Sequence, residues 1–147
     1  MNDATTNASV AVVRSFLDAL DRADLEAMHE LLDPDGFVFE MPYAPESLGR
    51  RIDGRDAFID FEREVPKLFG PERVHDVKAD ALASDPNEVV VEHGVTIDLV
   101  SGGDYANSII SRFSIRDGKI LRFVEYFDPI QVVIALGGSV ETPLMAS

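Results

Sequence analysis

Residues 88–127 read EVVVEHGVTIDLVSGGDYANSIISRFSIRDGKILRFVEYF, and this stretch decides the fold. It is rich in β-branched and aromatic residues, and turn-forming residues interrupt it at 101–104 and at Asp117-Gly118. A weaker strand pattern precedes it at Arg73–Ala83. The stretch therefore predicts an antiparallel meander of three strands at Glu88–Val100, Tyr105–Ile115 and Lys119–Phe127.

Three helices are predicted before this meander, because apolar residues recur there at helical spacing. The three apolar stripes are Val10, Val13, Leu17 and Leu20, then Leu25, Met28, Leu31 and Leu32, then Phe58, Phe61, Val65 and Leu68. Between the second and third helices, Phe37–Met41 is predicted to be a short strand that Pro42 ends. A loop at Tyr43–Arg51 follows it. Asp128 and Pro129 begin a closing helical turn that Gly137 ends.

This order of elements predicts an α+β roll with helices on one face of a mostly antiparallel sheet. A chain of 147 residues fits one domain with one core. We expect the domain to span residues 8–137, with flexible tails at 1–7 and 138–147.

Composition excludes several classes of function. Acidic residues outnumber basic ones by 27 to 13, so we expect neither nucleic acid nor membrane as a partner. Cysteine is absent and the three histidines lack zinc-site spacing, so we expect no metal. Without a recognisable leader or a long apolar run, the expected location is cytoplasmic.

Glu125 is the first candidate for catalysis. Side chains alternate along a strand, so Phe123, Glu125 and Phe127 share one side. Two phenylalanines predict that this side faces the interior, and burial would raise the pKa of the glutamate and suit it to proton transfer. The alternative is a glutamate at the edge of the core that pairs with Arg112 or Arg122.

The same alternation identifies the other candidate site residues. His93 lies in phase with buried valines, and it is either a second catalytic residue or a core histidine bonded to a backbone carbonyl. Glu40 could face inward only if the first strand bulges near Pro42. An apolar pocket with a few polar groups is typical of a small-molecule site. The predicted substrate-binding residues are Asn107, Ser111, Glu40, Tyr43, Phe113 and Phe127.

Four segments resemble the nuclear-transport-factor-2-like superfamily. They are Val12–Met41 (VVRSFLDALDRADLEAMHELLDPDGFVFEM), Asp53-Gly54-Arg55-Asp56, Asp117-Gly118-Lys119-Ile120 and Glu125-Tyr126-Phe127-Asp128. Within it, the chain is most similar to SnoaL-like proteins, which include polyketide cyclases, limonene-epoxide hydrolases and phenazine-biosynthesis condensing proteins. The resemblance implies a cone-shaped roll around a pocket, a homodimer, and a functional carboxylate at Glu125.

Residues that these relatives use are replaced in this chain. The positions that correspond to the tyrosine and two aspartates of ketosteroid isomerases hold Phe16, Met41 and Ile109. The Arg and Asp of limonene-epoxide hydrolases correspond to His93 and Val95, and their Tyr and Asn correspond to Val38 and Glu40. Phe61 replaces the helix histidine of the phenazine-type proteins. This chain therefore lacks the complete set of site residues of any one of these families.

The sequence therefore predicts a cofactor-free enzyme that acts by acid/base chemistry on a small hydrophobic substrate, as an isomerase, cyclase or epoxide hydrolase. Glu125 would move a proton or activate water while His93 or Asn107 polarises an oxygen. Epoxide hydrolysis would need a second carboxylate beside Glu125, and Glu40 is the candidate. The alternative function is a non-catalytic binding or dimerisation module.

Overall fold

The computed structural model describes residues 3–141 and has four α-helices on a six-stranded sheet. The helices are α1 (Asp3–Asp21), α2 (Leu25–Leu31), α3 (Arg55–Leu68) and α4 (Pro129–Ala135), with a turn of 3-10 helix at Glu46–Leu48. The strands are β1 (Val38–Glu40), β2 (Arg51–Asp53), β3 (Glu72–Leu82), β4 (Asp85–Asp98), β5 (Asp104–Arg116) and β6 (Lys119–Tyr126). This arrangement confirms the predicted α+β roll, with four helices where the predicted fold has three.

Aspartate side chains cap the start of two helices, and one of them, Asp128, is the predicted start of the closing helix. The Asp24 side chain accepts a hydrogen bond of 3.0 Å from Ala27 N at the start of α2. Asp128 accepts one of 3.0 Å from Ile130 N at the start of α4. The start of α1 differs, because residues 3–7 are helical and not a tail. Of the predicted C-terminal tail, residues 138–141 are exposed and form no helix or strand, whereas tail residues 1–2 and 142–147 lie outside the described part of the chain.

The strand order in the sheet is β2-β1-β6-β5-β4-β3. All neighbouring strands are antiparallel except β1 and β6, which run parallel and place Phe39 beside Phe123. β2 falls partly in the predicted loop. It is three residues long and carries charges at Arg51 and Asp53, so it has no strand pattern of its own and is defined by pairing with β1.

The core is built from phenylalanine rings. The rings of Phe113 and Phe123 stack with their centroids 4.4 Å apart, and Phe16, Phe39 and Phe58 pack around Phe123. Ring pairs of this kind add to the free energy of burial. The phenylalanine rings fill one end of the space between sheet and helices. The cavity lies toward the opposite end, where β3 begins.

None of the helices within residues 3–141 has the length and apolar composition to span a membrane.

Candidate functional site

A cavity of about 90 Å³ lies between the inner face of the sheet and the helices. Both the sheet and the helices contribute to its walls. The contributing elements are β1, β3 to β6, the C-terminal parts of α1 and α3, the 3-10 turn and α4. The lining residues are Leu20, Phe39, Met41, Leu48, Phe61, Glu62, Val65, Phe69, Glu72, His93, Val95, Ile97, Tyr105, Ile109, Phe123, Glu125, Phe127 and Val132. The cavity is therefore apolar, with a few polar groups.

Glu125 lies on the cavity wall between Phe123 and Phe127, as the strand alternation predicts. Neither predicted alternative partner reaches it, because Arg112 pairs with Glu88 and Arg122 pairs with Glu40. Withdrawal from water raises the pKa of Glu125 to about 8, and the nearby carboxyl group of Glu72 adds to this shift. Glu125 is therefore mostly protonated at neutral pH.

Two further glutamates line the same cavity. Glu72 is the first residue of β3, and burial raises its pKa to about 7. Glu62 projects from α3, and burial raises its pKa well above the ordinary value, with repulsion from Glu72 and Glu125 adding to the shift. Each side chain is half-buried because it faces the cavity. Three carboxyl groups from three elements thus lie close enough to hinder one another's ionisation.

Sequence reasoning missed Glu62 and Glu72, although both carried a recognisable pattern. Glu62 lies four residues after Phe58 and three before Val65, which places it on the predicted apolar stripe of α3. Glu72 lies two residues before the half-buried Val74 and so shares its side of β3.

His93 lines the cavity and is 5% exposed. Its Nδ1 lies 3.2 Å from the carbonyl oxygen of Gly94, which can only accept, so Nδ1–H is the donor. Burial lowers the pKa of the ring, against the opposing effect of this hydrogen bond, and His75 lowers it further. The neutral ring therefore presents Nε2 as an acceptor, and Nε2 has no partner within the described residues.

His93 and Glu125 do not act as a hydrogen-bonded pair. β5 lies between their strands, and two strand spacings separate the backbones by about 10 Å. As a neutral acceptor, His93 also lacks the proton that it would need to polarise an oxygen.

Asn107 is tied to the backbone where β6 ends. Its Oδ1 accepts a hydrogen bond of 3.0 Å from Asp128 N, and its Nδ2 donates to Asp128 O at 3.0 Å and to the Tyr105 hydroxyl at 2.7 Å. Both amide hydrogens are used, so Asn107 cannot polarise a substrate oxygen. It is buried but does not line the cavity.

Tyr105 does line the cavity, and sequence reasoning missed it as well. Because its oxygen accepts from Asn107, its own proton is available as a donor. Burial raises the pKa of Tyr105 to about 12, with the Asn107 hydrogen bond opposing the shift and nearby carboxyl groups adding to it. Tyr105 stays protonated at neutral pH.

Besides Asn107, four other predicted substrate-binding residues lie away from the cavity. Ser111 is fully buried and its hydroxyl has no partner within the described chain, while Phe113 belongs to the packed core. Glu40 points to the outer face, where it bonds Arg122 at 2.8 Å, because β1 has no bulge that would turn it inward. Tyr43 is 57% exposed and packs on Tyr126 on that face. Phe127 does line the cavity.

The glutamates give the cavity lining groups that can carry negative charge, and no positive group among the described lining residues balances them there. None of its described lining residues is a lysine or arginine. Nor do any three His, Cys, Asp or Glu side chains within residues 3–141 have an arrangement that could hold a metal ion.

The sequence profile of the SnoaL-like domain family matches residues 13–123. The uncharacterized protein YesE of Bacillus subtilis (strain 168) is 33% identical over 130 residues, which cover 86% of each chain. The uncharacterized PhzA/B-like protein PA3332 of Pseudomonas aeruginosa is 35% identical over 133 residues, 90% of this chain and 92% of that one.

A solved structure has the same fold. The phenazine biosynthesis-related protein phzb2 of Pseudomonas aeruginosa superposes with a TM-score of 0.82 over 97% of this chain and 88% of that chain. At 22% identity this likeness establishes the fold. The family profile and the two relatives show that the chain belongs to the SnoaL-like family.

Proposed function

We propose that the protein is an enzyme that performs general acid/base chemistry on a small hydrophobic molecule, using its own side chains and no cofactor. One observation carries the proposal: carboxyl groups from α3, β3 and β6, those of Glu62, Glu72 and Glu125, converge on a single apolar cavity. The SnoaL-like family includes cyclases, isomerases and epoxide hydrolases. Acid/base chemistry without a bound metal ion is compatible with each of these classes.

The two glutamates with intermediate pKa values take opposite roles. Glu125, with a pKa of about 8, carries its proton at pH 7 and acts as the acid. Glu72, with the lower pKa of about 7, releases its proton first and acts as the base. Burial and repulsion from Glu72 and Glu125 raise the pKa of Glu62 well above its ordinary value, so Glu62 favours the protonated form beside them.

Tyr105 takes the role that the sequence assigned to His93 or Asn107. Its hydroxyl is the donor in the cavity that can stabilise negative charge on a substrate oxygen. Asn107 is a positioning residue, because its hydrogen bond fixes the hydroxyl and polarises it. His93 accepts a hydrogen bond from the substrate through Nε2.

Isomerisation or cyclisation would use these groups as follows. Glu72 removes a proton from a carbon next to a carbonyl group, and Tyr105 stabilises the charge that forms on the carbonyl oxygen. Glu125 then returns a proton to a different atom of the substrate. The product is an isomer of the substrate. Glu72 now holds the proton that left the substrate and Glu125 has given its own proton to the product, so proton exchange with solvent restores both groups.

Epoxide hydrolysis is the second candidate, and a specific observation favours it. That reaction needs two carboxyl groups, and Glu72 supplies the second one that Glu40 was expected to provide. Glu72 would take a proton from water as the oxygen attacks the epoxide carbon, and Glu125 would give its proton to the epoxide oxygen as the C–O bond breaks. The product would be a diol.

A screen by thermal shift and product analysis tests the proposal on wild type, Glu125→Gln and a control, Glu92→Gln, which changes an exposed glutamate on the other side of β4. The compounds are small polyketides, terpenoid epoxides and steroid-like molecules. We expect wild type and Glu92→Gln to bind and convert one class, and Glu125→Gln to bind it without conversion. Equal binding by all three proteins with no conversion would contradict the proposal and favour the binding module.

A further inference from the structure

We infer that the cavity binds a small hydrophobic amine as its ammonium ion. The inference rests on the proposed function, because it names the chemical class of the substrate for the same cavity.

The charges around the cavity favour a cation. Glu62, Glu72 and Glu125 approach it from three elements, and none of the described lining residues carries a positive charge to balance them. The whole chain adds to this field with a formal net charge of −14. A cation would be attracted to each carboxyl group that is ionised and would favour ionisation of the others, whereas a neutral ligand would leave their ionisation unfavourable.

His93 provides an independent observation. Its Nε2 lies on a side chain that is 5% exposed, lines the cavity and has no partner within the described residues. The tautomer fixed by Gly94 O makes this nitrogen an acceptor. A buried acceptor without a partner costs free energy, so a ligand with N–H donors would satisfy it.

The balance of hydrogen-bonding groups favours the same ligand. When Glu72 and Glu125 are ionised, they and His93 only accept, and Tyr105 donates, as does Glu62 while it keeps its proton. An ammonium group only donates, so it complements this set. A carboxylate ligand would bring a further negative charge next to these carboxyl groups.

The aromatic walls favour an organic amine over a bare cation. Phe39, Phe61, Phe69, Phe123 and Phe127 line the cavity. Phenylalanine rings attract a cation through their faces and bury the hydrocarbon part of the ligand. A metal ion would gain little from these walls.

Isothermal titration calorimetry with benzylamine, benzyl alcohol and benzoate tests the inference, since these probes share a ring and differ in charge. At pH 8.5 we expect benzylamine to bind wild type about tenfold more tightly than benzyl alcohol, and benzoate to bind more weakly than both. At pH 6.0 the carboxyl groups of Glu62, Glu72 and Glu125 are protonated, and His93 and Tyr105 carry no negative charge. Benzylamine should therefore bind about tenfold more weakly at pH 6.0 than at pH 8.5, and benzyl alcohol about equally at both.

Two variants assign the effect to the cavity. Glu125→Gln and Glu72→Gln should each weaken benzylamine binding at pH 8.5 by about tenfold and change benzyl alcohol binding by less than about twofold. Glu92→Gln should match wild type. Circular dichroism checks that each variant folds, and either glutamate variant alone suffices for the test.

Three results would overturn the inference of an amine-binding site. Benzyl alcohol binding as tightly as benzylamine, an unchanged benzylamine affinity in the folded glutamate variants, or no benzylamine binding at millimolar concentration would each overturn the inference. The acid/base proposal would then still stand, because turnover tests it separately. If benzylamine binds as expected but no compound is converted, the inference of an amine-binding site holds and the proposal that the protein is an enzyme is contradicted.

Discussion

The Asn107 side chain donates a hydrogen bond of 2.7 Å to the hydroxyl oxygen of Tyr105. Because Asn107 is itself held by Asp128 N and O, it fixes the position of the hydroxyl, and the Tyr105 proton remains free to be donated. A polar network that is buried in the protein thus places one donor at the surface of the cavity.

Replacing Tyr105 with Phe should separate catalysis from stability. We expect turnover of the substrate identified by the screen to fall by about 10² to 10³, the usual effect of losing one such donor. Asn107→Ala should also lower the stability by about 1–3 kcal/mol, because the Asp128 backbone groups lose their partner. Steady-state kinetics and urea unfolding measure the two effects. If Tyr105→Phe and Asn107→Ala lose the same stability and both keep the wild-type turnover, the role of Tyr105 is contradicted.

The rate should depend on pH in a bell-shaped manner. kcat/KM should rise as Glu72 ionises near pH 7 and fall as Glu125 loses its proton near pH 8. Glu125→Gln should lower the rate by about 10² to 10⁴ and remove the alkaline limb. Glu92→Gln should keep the wild-type profile, and a rate that is flat from pH 6 to 9 would count against these roles.

Stability should fall as the pH rises through neutrality. Ordinary glutamates release their proton near 4.5, whereas folded Glu72 and Glu125 hold theirs to about 7 and 8. The folded state binds more protons in this window, so the free energy of unfolding decreases from about pH 4.5 to about pH 8. Calorimetry should show the melting temperature dropping by roughly 5–10 °C, with a smaller drop for Glu125→Gln and a wild-type drop for Glu92→Gln.

Protonation of Asp33 should lower the free energy of unfolding at acid pH. Burial opposes its ionisation, but hydrogen bonds from Asp35 N, Gly36 N and Arg116 outweigh burial and lower its pKa below 3.8. A lowered pKa contributes stability that is present above the ordinary value and is lost as the pH falls through the folded value. The melting temperature should therefore peak near pH 5, and a maximum above pH 8 would contradict the raised pKa values of the cavity glutamates.

The expected homodimer should use the outer face of the sheet. Ile110 is 50% exposed there and pairs in register with Tyr126, on which Tyr43 packs at 5.3 Å. An apolar patch on a soluble protein favours association. Light scattering should find a dimer for wild type and a monomer for Ile110→Glu. Ala11→Glu, an exposed change on α1, should stay dimeric, and a monomeric wild type would refute the expectation.

Local patterns in the sequence determined the helices, every strand except β2, and the side of β6 on which Glu125 lies. Alternation along β6 and helical spacing in α1 to α3 depend on the side chains of one element, so they can be recognised without its neighbours. The caps at Asp24 and Asp128 are local for the same reason.

Only the tertiary structure decided which polar groups meet. Glu62, Glu72 and Glu125 lie on three elements, and their convergence depends on how α3 packs over the sheet and where β3 starts. Whether Asn107 faces a ligand depends on Asp128, which is distant in sequence. Alternation predicts which side of a strand a residue occupies. It does not say whether that place is packed core, as for Ser111, or open cavity, because register and helix packing set that difference.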